Sequence, residues 1–454
     1  MKVCLGALPE GAPESQDRIV ATASIARPAA LIARLVLMVA TVVAGQWTTS
    51  VQAQTPLTLA EAQRRAVERS GQLAAQASAA ASAREMAVAA GQLPDPIATA
   101  GINNLPINGP DAWSLTQDFM TMTSVGVMQE FTRTEKREAR AQRYEVEAQK
   151  FAAERTASIA SIRREVAIAW LDRYYAEAMA SVVAEQSRQA QAEIASAENA
   201  YRAGRGSLAD VLAAHSALVS LEDRGSEISR RVGVAKIALA RWIGVLADAP
   251  LGAKPAIDAI DVDPRAVDAE LERQPQIAVL TRQQDMAAAE VRLAEANKKS
   301  DWSVSLMYSQ RGPAYSNMIS VNVSVPLQWD QKNRQDRELA SKLALLDQAR
   351  AEREDMLRAR AAELRAMIAE WENDRERLAR YERELVPLAS ERTQATLAAY
   401  RGAKATITDV LLARRNEIDI RVQALQLEAD TARLWAQLNF VMPGDAAGST
   451  KELQ

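Results

Sequence analysis

The 454-residue sequence has one cysteine, one histidine, four phenylalanines and only 4% aromatic residues. Each scarcity removes a class of function. Cys4 lies ahead of an apolar run that reads as a removable export signal, so the mature chain has no thiol for disulfides, thiolate metal sites, cysteine catalysis or N-terminal acylation. With His215 alone, histidine-dependent triads and metal clusters lack partners. No HExxH, GxGxxG or P-loop pattern occurs, so no catalytic residue, cofactor or metal site is expected. A basic excess is also missing: 55 Lys and Arg stand against 58 Asp and Glu, which excludes a nucleic-acid footprint. No uncharged run approaches the roughly 20 residues of a membrane-spanning helix.

The longest apolar run, LVLMVATVVA at residues 35–44, follows Arg27 and Arg34 and precedes Val51-Gln52-Ala53. That order describes a secretory signal peptide over residues 1–53, cleaved before Gln54. Its loss removes four basic and three acidic residues, leaving 51 against 55, a net −4. The apolar share is dominated by alanine, which suits helices packed closely along their length more than large aromatic cores.

An internal duplication organises the rest. AYRAGRGSLADVL at residues 200–212 matches AYRGAKATITDVL at 399–411 without gaps, with six identities. ERSGQL from Glu68 parallels ERQPQI from Glu272, Asp95 parallels Asp301, and VMQEF from Val127 parallels VPLQW from Val325. The reading is a first repeat over 54–245, a connector over 246–265, a second repeat over 266–442 and a disordered tail over 443–454. Each repeat opens with a helix of about 35 residues, 57–91 and 266–299. Two strands follow, then a long helix and a return helix, 132–245 in the first repeat and 330–440 in the second. Pro387 is expected to kink the second long helix near its far end.

Strand patterning is clearest in the second repeat. Trp302, Val304, Leu306 and Tyr308 alternate with Ser303, Ser305, Met307 and Ser309. Over residues 317–329, Ile319, Val321, Val323, Val325 and Leu327 share one face, with Ser320, Asn322, Ser324 and Gln328 on the other. Residues 97–103 and 121–131 are weaker versions in the first repeat. A membrane admits strands only as a closed barrel, and small barrels need about eight of them. Four strands per chain make three chains and twelve strands the simplest closure, with the Ile319 to Leu327 face towards lipid. Trp302, Tyr308, Trp329 and Phe131 at strand ends suit an aromatic belt. The alternative is a small soluble β-layer packed on helices.

The signal, the duplicated order, the two tip sequences and the ARWIG ending at Gly244 together resemble the TolC family of outer-membrane efflux factors, over essentially the whole mature chain. The resemblance implies a mostly α fold with a small β part: a trimeric twelve-strand outer-membrane barrel continued by a long periplasmic α-helical barrel. It also implies partners, namely two further copies, a periplasmic membrane-fusion adaptor, an inner-membrane pump and outer-membrane lipid. LPDPIATAGINNLP from Leu93, QDFMTM from Gln117 and VMQEFTRTEKR from Val127 are most similar to heavy-metal members of the CusC and CzcC kind. Met120 and Met122, two apart on an expected strand, offer thioethers to Cu(I) or Ag(I), or simply fill packing gaps.

By the same resemblance the tips carry a gate, with Tyr201, Asp210, Tyr400, Lys404 and Asp409 as its residues. Tyr400 would link to Asp210 of a neighbouring copy, and three copies of Asp409 would form an acidic ring favouring cations. Leu412 and Ala405 stand where the family has a second pore acid and a gate arginine, with Lys404 as the substitute. The competing reading is local: Ser207 and Thr406 are hydroxyl N-caps, and each acid completes the first turn of a return helix. His215 lies on the stripe of Leu208, Val211, Leu212, Leu218 and Val219, as a packed or inter-helix residue. A type I secretion or multidrug duct would use the same architecture. A periplasmic coiled-coil adaptor would lack lipid-facing strands and would tolerate Val323→Asp.

Overall fold

Residues 56–441 are described by the computed structural model. The expected signal and the expected tail lie outside them. Where one helix is expected over 57–91, two form: α1 (Leu59–Arg69) and α2 (Gly71–Ala90). Ser70 adopts an extended conformation between them and caps α2, its hydroxyl accepting from the Leu73 N–H at 3.4 Å. The second repeat breaks at the matching place, between α5 (Val267–Glu272) and α6 (Pro275–Asn297). There Pro275 takes the first helical turn, where its missing N–H costs nothing. The ERSGQL and ERQPQI match therefore marks a joint.

Four strands follow in two pairs: β1 (Ile97–Asn103) with β2 (Met122–Phe131), and β3 (Trp302–Gln310) with β4 (Met318–Ser324). They form one antiparallel meander in the order β1-β2-β3-β4, the β2–β3 ladder joining the two repeats. β4 ends at Ser324, short of the expected 329. Pro326 cannot donate to a ladder, so Val325 and Leu327 lie beyond the sheet, exposed but not strand residues.

The long helix α3 (Thr134–Arg202) runs 69 residues without interruption, about 100 Å at 1.5 Å per residue. It returns through α4 (Leu208–Ile243) and a 3₁₀ turn, Gly244–Asp248. Its partner α7 (Gln335–Arg380) passes through a π-helical turn, Tyr381–Leu385, into α8 (Val386–Arg401), so the irregularity expected at Pro387 is accommodated just before it. The last helix, α9, is Ile407–Asn439. No described helix is long and apolar enough to cross a membrane.

The central core gathers where α3, α4 and α9 cross the connector. Trp170 is fully buried and donates its indole N–H to Leu57 O at 3.1 Å. Trp371 does the same for Ile257 O at 3.3 Å, and Trp435 for Ala259 O at 2.9 Å. Leu57 and Leu251 also pair as a parallel bridge. Arg433 on α9 reaches Asp172 on α3 at 2.6 Å. Indole donors thus fix the connector, and Leu57 ahead of α1, at mid-length, with strands at one end of the long helices and tips at the other.

Candidate functional site

Both tips use one backbone device. At the end of α3, the Ala203 N–H donates to Asn199 O, Gly204 N–H to Tyr201 O and Arg205 N–H to Ala200 O. At the end of α8, Gly402 donates to Ala398 O, Ala403 to Tyr400 O and Lys404 to Ala399 O. The residue that reverses the chain sits in the left-handed region: Gly204 at φ 68° in the first tip and Ala403 at φ 56° in the second. The second repeat has its glycine one position early, at Gly402, and alanine where Cβ is unfavourable. Ala403→Gly is accordingly expected to stabilise that tip by about 0.5–1 kcal/mol, part of the relief being offset by the greater unfolded-chain freedom of glycine. Hydrogen exchange of amides 400–406 should slow, and unaltered or faster exchange would contradict the assignment.

Each return helix starts with a complete capping box. Ser207 Oγ accepts from the Asp210 N–H at 3.2 Å, while Asp210 Oδ2 accepts from the Ser207 N–H at 3.0 Å and from its hydroxyl at 2.8 Å. Thr406 and Asp409 repeat this at 3.2, 2.9 and 2.7 Å. The Ser207 backbone N–H, then its hydroxyl, hold the Asp210 carboxyl below the usual carboxylate range, and for Asp409 the Thr406 hydroxyl acts first and its N–H second. Both acids are therefore more acidic folded than unfolded. Their contribution is complete above the ordinary value of 3.8 and is lost as pH falls through the lower folded value.

Tyr400 is half-buried against Ile194, Ala197, Val211, Ala214, Ile407 and Val410, whereas Tyr201, Lys404 and Asp409 are exposed. Within one chain Asp210 is engaged by Ser207 and not by Tyr400. His215 is more exposed than a core position and sets Nε2 3.6 Å from Glu198 on α3, so it bridges two helices. Leu208, Leu212 and Val219 on its stripe are likewise exposed, and only Val211 is buried.

Sequence reasoning overlooked the charged knot behind the tips. Arg414, the repeat counterpart of His215, reaches Glu193 at 3.0 Å and Glu417 at 3.5 Å, and Arg421 reaches Glu417 at 2.7 Å. Both carboxylates are buried. The His215/Arg414 correspondence was the available signal, but Glu193 is 221 residues away in sequence.

At the opposite end the sheet separates its faces by chemistry. One cross-strand row is Ala98, Val127, Leu306 and Val321, the next Ala100, Val125, Tyr308 and Ile319, and a third pairs Val304 with Val323. Most of this face is uncovered, with Ile319, Val321 and Val323 exposed by 72%, 65% and 64%. Phe131 and Trp302 stack at its foot with centroids 4.4 Å apart. The other face carries Thr99, Gly126, Met307 and Ser320 in one row and Gly101, Ser124, Ser309 and Met318 in the next. A side chain at Gly126 would press on Leu306 O at 2.8 Å, so glycine is required there. Met122 pairs with Asn103 on this polar face, but Met120 falls in the preceding loop, so the two do not share a strand. Among the described residues no three His, Cys, Asp or Glu side chains form a metal-binding group.

No family model and no curated protein matches the chain. Solved structures do. The outer-membrane channel OprN is similar over 85% of this chain and 90% of its own, at TM-score 0.72 and 17% identity. The outer membrane protein VceC from Vibrio cholerae matches over 84% and 95%, at 0.69 and 18%. CusC, whose folding and transmembrane channel formation have been described, matches over 85% and 93%, at 0.71 and 14%. The chain has the fold of these outer-membrane proteins, an α-helical barrel segment carrying a small β part.

Proposed function

We propose that three copies of this chain form an exit duct in the outer membrane, with the long helices extending into the periplasm. The carrying observation is the sheet: four strands with one uncovered apolar face, two unpaired edges and a polar face behind. Four strands cannot close a barrel, whereas twelve can. An adaptor and an inner-membrane pump would dock at the helical tips, the pump supplying the energy, and the duct would be a passive conduit rather than an enzyme. Fractionation should place the protein in the outer membrane as a detergent-resistant trimer. Recovery as a soluble periplasmic monomer would end this reading.

Within it, the tips act as the gate and the cargo is heavy-metal cations. The gate rests on the paired capping boxes and on Tyr400 beside them. Tyr400→Phe leaves the caps intact, so it and Asp210→Ala are both expected to raise single-channel conductance in a planar bilayer. Unchanged current would leave capping as the whole account of Asp210. The cargo rests on the segments beginning at Leu93, Gln117 and Val127, and on the exposed Asp409, which three copies would turn into an acidic ring. Deleting the chain should sensitise cells to one or more of Cu, Ag, Zn, Co and Cd. Sensitisation to organic drugs alone would reassign the cargo.

A further inference from the structure

The two repeats are fastened together at the foot of the sheet, beneath the β2–β3 ladder. Lys136, the third residue of α3, is buried and places its ammonium 2.7 Å from Asp301 Oδ2, with a second bond to Lys299 O at 3.1 Å. Arg133, just ahead of α3, donates its backbone N–H to Asp301 Oδ1 at 3.1 Å and its Nε–H to Ser300 O at 2.9 Å. The acid leading into β3 is thus held by the start of the long helix that follows β2.

Duplication supplies a second set of these groups and leaves it unjoined. Asp95 leads into β1 as Asp301 leads into β3, and it is exposed. Arg334 precedes α7 as Arg133 precedes α3, and Arg337 is the third residue of α7 as Lys136 is of α3. Both arginines are exposed, and among the described residues neither side chain forms an ion pair with an acid. Asp95 belongs to one edge of the sheet and the arginines to the other. With strands about 4.8 Å apart, three spacings keep them roughly 14 Å apart within a chain.

The helices below show the same vacancy. Among the described residues α3 is flanked by α2 and α6, whereas α7 packs on α6 and α9 without a counterpart of α2 on its far side. Met86 and Val88 on α2 are exposed, as are Leu343 and Leu345 on α7.

We infer that Asp95 of one copy is clamped by Arg334 and Arg337 of the next, repeating the joint that Asp301 makes with Arg133 and Lys136 inside the chain. The occupant of both open edges is therefore a second copy of this chain. β4 pairs with the neighbouring copy's β1, and α7 gains that copy's α2 as its second flank. The inference rests on the trimeric reading and names the contact that fastens it. Arginine in place of lysine allows a forked, two-bond grip on the carboxylate.

The full chain carrying both Asp95→Cys and Arg337→Cys should give covalent dimers and trimers on a denaturing gel after treatment with a short bis-maleimide in detergent. Each single variant should remain at monomer mass, since copies of one position do not meet. Native mass spectrometry of the same sample separates the two ideas. A trimer that stays uncross-linked overturns this joint alone, whereas a monomer overturns the trimeric reading and the joint with it. Charge exchange is an independent measurement: Asp95→Arg should lower the temperature at which the trimer dissociates in detergent, and adding Arg334→Asp and Arg337→Asp should restore it. A triple variant no better than the single one would also overturn the proposal.

Discussion

Val321→Arg is expected to eliminate the detergent-resistant trimer, while Ser320→Arg, one residue away, is expected to leave it intact. Val321 sits in the row of Ala98, Val127 and Leu306 on the uncovered apolar face. In the proposed trimer, a guanidinium at mid-barrel on the lipid side costs about 2–4 kcal/mol per copy, incurred three times. Ser320 points to the opposite face, in the row of Thr99, Gly126 and Met307, where a charge would stay in the water of the proposed duct. The readout is trimer mobility on a mildly denaturing gel beside outer-membrane recovery. Equal behaviour of the two variants would mean that the apolar face does not meet lipid.

Arg414→Ala is expected to produce the largest loss of stability at the helical end, about 3–5 kcal/mol, because it strands Glu193 in a buried setting and leaves Glu417 to Arg421 alone. Their side chains are only 8% and 4% exposed, so water does not replace the lost partner. Arg202→Ala is the control: it breaks an exposed pair with Glu198 and should cost no more than about 1 kcal/mol. Thermal unfolding and limited proteolysis near the tips would compare them. Adding Glu193→Gln to Arg414→Ala should recover part of the loss, because a neutral amide is cheaper to bury than an unpaired charge. A loss no larger than that of Arg202→Ala would remove the knot from any structural role.

Much of this architecture could be read locally. Proline and glycine are absent from α3, which announces its length, and the ERSGQL and ERQPQI pair announces the duplication, though not the joint it marks in each repeat. The S/T-x-x-D spacing at Ser207 and Thr406 gives both capping boxes, since an N-cap and its third residue meet within one turn. Alternation of period two gave the apolar and polar faces of β3 and most of β4. It ran too far in β4, because the pattern of side chains continues to Leu327 while the ladder ends ahead of Pro326, which has no N–H to give. The break at Ser70 was read through because a single serine does not interrupt hydrophobic periodicity.

What the sequence determined by itself was periodicity, repetition and punctuation, properties set by neighbours within a turn or a strand. From these follow the duplication, the element order, the tips and the two-faced strands. The tertiary structure decided partnership. It alone put Glu193 against Arg414, Asp301 against Lys136 and Trp170 against Leu57 O, pairs separated by more than a hundred residues. It also showed that the joint between repeats is left open at both outer edges of the sheet. Charged and indole groups carry no label for a distant partner; which ones meet depends on how the long helices cross.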